Sequence, residues 1–184
     1  MNVLTGILKG MRITTPEGDR IRPTKTGVRE AVFNILGQDL FGKSFCDLCA
    51  GSGSMGIEAI SRGAKDVKFV EKDQKVARVL LKNLKEVERR LSEESRHRLY
   101  NESFSVFLER EMAFDLVYFD PPWGFFDKQD LQKVPLDQVV KERGSLLIEH
   151  TKKSPKSLPE NIGSLLLKDS RRYGQAHISI YKRA

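Results

Sequence analysis

The sequence predicts an α/β fold in which helices cover both faces of a mainly parallel sheet. Short apolar runs, bounded by acids, glycines or other charged residues, recur at residues 45–49, 67–70, 116–119 and 145–148. Runs of this length suit strands that are buried on both faces. Helical patterns lie between them, and this alternation is typical of a doubly wound sheet.

Two helices follow the first two of these strands. Residues 54–62 begin after a glycine turn and end before Gly63, a common residue at helix ends. Asp73 can cap a longer helix over residues 74–91. The apolar residues of this second helix fall on one face: Val76, Val79, Leu80, Leu84, Val87 and Leu91.

The N-terminal part departs from this pattern. Residues 3–8 and 11–14 predict a small β-hairpin, and residues 26–36 predict a helix with its apolar side chains inward. We expect all 184 residues to form one domain, with residues 1–43 as a hairpin and helix extension and residues 44–184 as the core.

The C-terminal part also departs from it. Residues 165–168 and 176–181 predict two paired strands. A basic turn over residues 169–174 joins them, with Arg171 and Arg172 at its centre.

Positive charge is concentrated at the two ends of the chain. The net charge is +7, with 7 Lys and Arg against 4 Asp and Glu in residues 1–43, and 8 against 2 in residues 151–184. Residues 44–150 carry 17 against 19. Basic flanks around a slightly acidic centre suggest a polyanionic partner, although a solvated surface without a partner explains them equally well.

The sequence shows no signal for a membrane or for export. No apolar run approaches the roughly 20 residues of a membrane span, and residues 1–6 do not begin a signal peptide. We therefore expect a cytoplasmic protein without membrane contact. Cys46 and Cys49 form a lone C-x-x-C without a second pair, so we expect buried thiols and no metal site.

A glycine-rich loop directly follows the first predicted strand. Residues 51–56 match G-x-G-x-x-G and open a predicted helix, whose free N-terminal amides favour close approach of a ligand. Glu71 lies 20 residues after Gly51, at the end of the next strand, where a carboxylate can bind both hydroxyls of a ribose. This combination favours a loop that binds an adenosine-containing cofactor over an ordinary strand-to-helix turn.

Asp47 helps to choose between two such cofactors. It ends the first strand, four residues before Gly51. An acid there suits S-adenosylmethionine, which carries an amine and a sulfonium, better than the pyrophosphate of NAD, which favours amides and positive charge.

The tetrad Asp120-Pro121-Pro122-Trp123 follows a predicted buried strand. The prolines fix the backbone and remove two donors, so that Asp120 and the Pro121 carbonyl can accept hydrogen bonds from a planar base amine. Trp123 offers a face for stacking, a contact worth ~1–3 kcal/mol. Methyl transfer needs mainly alignment of the amine with the sulfonium methyl. The alternative is a rigid proline turn that only ends a strand.

These motifs resemble those of the RsmD-type 16S rRNA guanine-N2 methyltransferases. The resemblance extends over residues 6–10, 22–24, 28–36, 47–64 and 115–123. It implies a Rossmann-like class I methyltransferase, with a seven-stranded sheet and a reversed last strand. It also implies methyl transfer to a guanine amine of 16S rRNA in the small ribosomal subunit.

The resemblance assigns residues to three roles. The tetrad Asp120, Pro121, Pro122 and Trp123 would hold the reacting amine. Arg22, Thr24, Arg29 and Trp123 would lie near the RNA, although the arginines could be surface cations and Thr24 a helix cap. S-adenosylmethionine would contact Asp47, Ala50, Gly51, Ser52, Gly53, Glu71, Ser103 and Asp120.

Three features depart from the family pattern. Trp123 stands where Phe or Tyr is more usual, Ser103 replaces an Asp or Asn that faces adenine, and residues 124–143 form a short stretch beside the substrate.

Several other functions remain open. An adenine-N6 methyltransferase shares the tetrad but usually has a separate target-recognition region. A glutamine-amide methyltransferase usually begins its tetrad with Asn, and an NAD-linked oxidoreductase needs a substrate domain. A non-catalytic RNA-binding or scaffold protein would have no need of Asp120 and Trp123 together with Glu71, whereas a catalytically inactive descendant of an enzyme could retain them. We expect a monomer that acts on ribosomal RNA or the small-subunit particle.

Overall fold

The computed structural model describes residues 1–16, 26–91, 96–110, 112–122, 124–128, 131–151 and 158–184. Within these ranges the helices are α1 (Thr26–Leu36), α2 (Ser54–Ser61), α3 (Gln74–Arg90), α4 (Phe104–Phe107) and α5 (Phe125–Lys128), followed by two 3₁₀ turns at Leu131–Lys133 and Leu136–Val139. The strands are β1 (Ser44–Asp47), β2 (Asp66–Val70), β3 (Arg96–Tyr100), β4 (Phe114–Phe119), β5 (Val140–Thr151), β6 (Asn161–Ile162), β7 (Leu165–Tyr173) and β8 (Ala176–Arg183).

The strands form one sheet in the order β3-β2-β1-β4-β5-β8-β7-β6. The five strands from β3 to β5 are parallel, and the last strand, β8, lies antiparallel between β5 and β7. This confirms the predicted class of fold and its reversed last strand. The sheet has one strand more than the seven expected, because the two-residue β6 pairs with the outer edge of β7.

Each face of the sheet is covered by its own hydrophobic core. Helices α1, α2 and α3 pack on one face, around residues such as Val32, Ile57 and Leu80. Helix α4 and the two 3₁₀ turns cover the other face, through residues such as Phe107 and Leu136. The predicted double winding is therefore correct.

The predicted caps and helices of the first half are confirmed to within a residue. Asp73 accepts hydrogen bonds from the backbone N–H groups of Lys75 (2.8 Å) and Val76 (3.2 Å), which satisfies two free donors at the start of α3. Helix α1 has the predicted bounds. None of the helices in the described ranges has the length and apolar content that crossing a membrane requires.

The predicted N-terminal hairpin is only partly correct. A single bridge joins Asn2 to Arg12, and the residues between them bend onto α2 instead of forming a strand. Gly6 is the reason: its φ of 84° requires glycine, and a Cβ there would overlap the Ser61 carbonyl. The bend also aligns the Ile7 N–H with the Ser61 carbonyl oxygen at 2.9 Å.

The predicted basic turn near the C-terminus is wrong in extent. Strand β7 continues through Arg171 and Arg172 to Tyr173, so the turn is reduced to Gly174 and the residue after it. Pairing with β8 satisfies the backbone of these basic residues, which explains why their polarity does not end the strand.

Candidate active site

Four acidic residues lie at the carboxyl edge of the parallel strands. Asp47 ends β1, Glu71 follows β2, Asp120 follows β4, and Glu149 lies near the end of β5. Parallel strands end at the same edge of a sheet, which is where doubly wound proteins bind ligands.

The thiol of Cys49 shows that three of these acids converge. Burial raises the pKa of this thiol, and the nearby charges of Asp120, Glu71 and Asp47 raise it further. The carboxylates at the ends of three different strands therefore act on one thiol. The edge is a concentrated acidic site, suited to a cationic ligand.

The glycine loop turns tightly beside these acids. Gly51 and Gly53 have positive φ angles of 54° and 82°, and the Gly53 N–H donates to the Ala50 carbonyl at 2.7 Å. Gly56 has a different function: a Cβ there would overlap the ring of Phe69 on β2, so glycine allows α2 to pack closely on the sheet.

Glu71 is held by the backbone on both sides. Its Oε2 accepts from the Gly51 N–H at 2.9 Å, and its Oε1 accepts from the Asp73 N–H at 2.8 Å. A carboxylate offers about four acceptor positions, so each oxygen can still accept from a hydroxyl group. Glu71 is thus fixed in place with capacity to bind a ribose.

Asp47 is almost completely buried, with 2% of its surface exposed. Its Oδ2 accepts from the Gly56 N–H at 3.2 Å, near the N-terminus of α2. Burial raises the pKa of Asp47 from 3.8 to about 7; the Gly56 amide opposes this shift, and the charge of Glu71 adds to it. A cation bound at this edge would favour the ionised carboxylate.

The turn after β4 rests on aromatic rings. Asp120 is partly buried, Pro121 is buried and Pro122 is exposed. The Pro122 carbonyl accepts from the Phe125 N–H at 3.0 Å, and Phe125 packs edge-on against Phe119 with 5.4 Å between ring centroids. This packing holds the turn at the end of the strand. Trp123, Arg22 and Thr24 lie outside the described residues.

Two residues that were predicted to lie at the cofactor or the RNA, Ser103 and Arg29, make other interactions in the structure. The Ser103 hydroxyl caps α4 by accepting from the Val106 N–H at 3.3 Å, and it also contacts the Ser105 hydroxyl at 2.8 Å. Arg29 is 1% exposed and donates to the Asn2 carbonyl at 3.0 Å. Burial lowers its pKa despite the nearby carboxylate of Glu58. The alternative of a surface cation is therefore wrong, and the buried guanidinium is not placed to contact RNA.

Sequence reasoning missed Asn83, which supports the glycine loop. This α3 residue is 3% exposed, and its side-chain amide donates to the carbonyls of Ser52 and Thr14, each at 2.9 Å. Its Oδ1 accepts from the Thr14 N–H at 3.0 Å. An Asn on the apolar face of the predicted helix was the available signal, because a buried amide needs partners.

Both cysteines are free thiols; Cys46 is buried and Cys49 is partly buried. In the ranges that the structure describes, no three His, Cys, Asp or Glu side chains are placed to share a metal ion.

Comparison with known proteins identifies the family. Residues 1–182 match the model of the family described as "Conserved hypothetical protein 95". The chain belongs to this family. Its members include the RsmD-type proteins that the sequence resembles.

Two curated relatives and one solved structure agree with this assignment. The chain is 32% identical to the "Putative rRNA methyltransferase YlbH" of Bacillus subtilis, over 100% of this chain and 99% of the relative. It is 33% identical to the "Ribosomal RNA small subunit methyltransferase D" of Haemophilus influenzae, over 88% and 84%. The structure titled "Putative methyltransferase yhhF from Escherichia coli" superposes with a TM-score of 0.82 at 26% identity, over 100% and 97%. The fold is that of the class I methyltransferases.

Proposed function

We propose that this protein transfers a methyl group from S-adenosylmethionine to the N2 amine of a guanine in 16S rRNA. The observation that carries the proposal is that Asp47, Glu71 and Asp120 stand at the carboxyl ends of three parallel strands of a methyltransferase fold. The names of the relatives support ribosomal RNA as the substrate.

The acidic edge fits this cofactor better than it fits a dinucleotide. Glu71 has acceptor capacity for the ribose hydroxyls, and the loop over residues 50–53 lets the backbone approach closely. Asp47 would attract the cationic amino-acid part, since an ionised carboxylate in a buried site gains from a nearby cation. When bound, the sulfonium supplies the methyl group already activated for transfer.

Asp120 and the Pro121 carbonyl would orient the amine. Both accept hydrogen bonds, which fixes the amine and directs its lone pair toward the methyl carbon. The new bond joins N2 to that carbon as the carbon–sulfur bond breaks, and the amine releases a proton that Asp120 or water accepts. Trp123 would stack on the base.

The C-terminal hairpin offers a basic surface beside this site. Thr151 on β5 pairs with Ala176, which also pairs with Tyr173, so the end of β7 lies at the carboxyl edge. Arg171 and Arg172 immediately precede that end and are exposed. Cations here can contact RNA phosphates, and binding should therefore weaken steeply with salt.

Labelled S-adenosylmethionine tests the proposal directly. The protein is incubated with RNA and with small ribosomal subunits from a strain that lacks the gene, and the nucleosides are then analysed. Labelled N2-methylguanosine is expected. Labelled N6-methyladenosine would instead establish an adenine methyltransferase, and no label in any nucleic acid despite cofactor binding would favour an inactive relative.

A further inference from the structure

Glu149 stands next to Asp120 at the carboxyl edge. Strands β4 and β5 are parallel, and the last residues in register are Phe119 and Ile148. Asp120 and Glu149 each follow by one residue. Neighbouring strands lie about 4.8 Å apart, so the two acids occupy adjacent positions at the site.

Both acids also act on the Tyr118 hydroxyl. This hydroxyl donates to the Glu149 carboxylate. Burial raises the pKa of Tyr118, and the charges of Glu149 and then Asp120 raise it further. The charges of both carboxylates therefore act on one buried hydroxyl.

Two adjacent acceptors match the donor pattern of guanine. Guanine has an N1–H beside its N2 amine, so one carboxylate can accept from each. A base with an unprotonated N1 beside its amine would instead direct a lone pair at the second carboxylate. A site that hydrogen-bonds one substrate group strongly rejects analogues without that group.

We propose that Glu149 determines base specificity by accepting a hydrogen bond from guanine N1–H while Asp120 holds the N2 amine. This inference rests on the proposed function of the same site. Tyr118 is a positioning residue, because its hydroxyl donates to the Glu149 carboxylate and helps to fix the orientation of that group. A carboxylate offers about four acceptor positions, so Glu149 can accept from a base N–H in addition to Tyr118.

The experiment compares two bases that differ at N1. Small-subunit particles are reconstituted with rRNA that carries guanine or 2-aminopurine at the mapped target. 2-Aminopurine keeps the N2 amine but has an unprotonated N1 and no O6. Single-turnover rates on the two particles give the guanine preference of each variant.

The wild type is expected to prefer guanine by about 10- to 100-fold. In Glu149→Gln the amide N–H₂ can donate to the N1 of 2-aminopurine, so the preference should fall to near one or reverse. Tyr118→Phe should reduce it by a smaller factor. Glu142→Gln, an exposed site on the same strand, should keep the wild-type preference.

An unchanged preference in Glu149→Gln overturns the inference, whether or not both rates fall, because a merely structural role would slow both bases equally. A wild type that does not discriminate between the bases also overturns it. Failure of the proposed function is a separate result: the wild type would then form no N2-methylguanosine.

Discussion

Helix α2 contacts one buried carboxylate near its start and carries another toward its end, and the two carboxylates differ in how many hydrogen-bond donors they have. Near the start of the helix, Asp47 accepts from the Gly56 N–H at 3.2 Å, and within the described ranges this is the hydrogen bond that its side chain makes. Toward the end, Glu58 accepts from the Leu4 N–H at 2.8 Å and the Thr5 N–H at 3.0 Å, and pairs with Arg62 at 2.9 Å.

The number of donors separates Glu58, a structural acid, from Asp47, which has capacity to bind a ligand. Burial raises the pKa of Asp47 to about 7, whereas Glu58 is surrounded by amides and guanidinium groups that compensate its charge. Burial alone does not indicate function, because both acids are almost completely buried. The number of donors already present decides whether a carboxylate can still bind a ligand.

Removing the charge of Glu58 should have the largest effect on stability. Glu58→Gln leaves the buried Arg62 guanidinium without its carboxylate, and breaking a buried ion pair costs about 3–5 kcal/mol. Urea denaturation should show this decrease in the free energy of unfolding. Glu86→Gln, in an exposed ion pair with Arg90, is the control and should remain close to wild type. A stable Glu58→Gln would mean that Glu58 is not the structural acid of the pair.

Removing the carboxylate of Asp120 should abolish most turnover without loss of stability. Asp120→Ala loses an acceptor that orients the amine, and we expect the single-turnover rate to fall about 100- to 1000-fold. Calorimetry should show nearly unchanged affinity for S-adenosylmethionine. Wild-type turnover in this variant would refute the assignment of Asp120 to the reaction.

A methyl group at Gly56 of α2, which lies between Asp47 and Glu58 in the sequence, tests how closely this helix packs on the sheet. Gly56→Ala must displace the Phe69 ring and should cost about 1–3 kcal/mol. Gly27→Ala in α1 is the matched control, since nothing lies within 4 Å of its Cβ position, and it should stabilise by about 0.5–1 kcal/mol. Thermal unfolding of both variants measures the contrast. Equal effects would show that α2 can move away from β2.

Asp47→Asn should change the pH dependence of stability. The folded chain holds the Asp47 proton more tightly than the unfolded chain, so ionisation costs stability as the pH rises from 3.8 to about 7. The variant should therefore be more stable than the wild type at pH 8.

The same substitution should weaken cofactor binding. In the wild type, affinity for S-adenosylmethionine should fall as the pH drops below about 7, because the protonated acid no longer attracts a cation. Asp47→Asn should show low affinity with little pH dependence, which calorimetry at pH 6 and pH 8 would detect. Full affinity at both pH values would show that Asp47 only caps α2.

The sequence predicted the elements whose signals are local. The cap at Asp73, the bounds of α1 and the glycine turn each depend on residues a few positions apart, and each is present in the structure. The N-terminal hairpin was predicted only in part, because Gly6 packs against Ser61, 55 positions away. A pattern of alternating residues cannot show such a distant contact.

By itself, the sequence determined the class of fold and the positions of the acids at strand ends, because burial on both faces and turn chemistry are written in neighbouring residues. The resemblance to a known family implied the reversed last strand. Only the tertiary structure decided which acids are saturated, that Arg29 is buried, and that Tyr118 joins Glu149. The physical reason is that these properties depend on which donors from distant segments meet each carboxylate once the two layers of helices pack on the sheet.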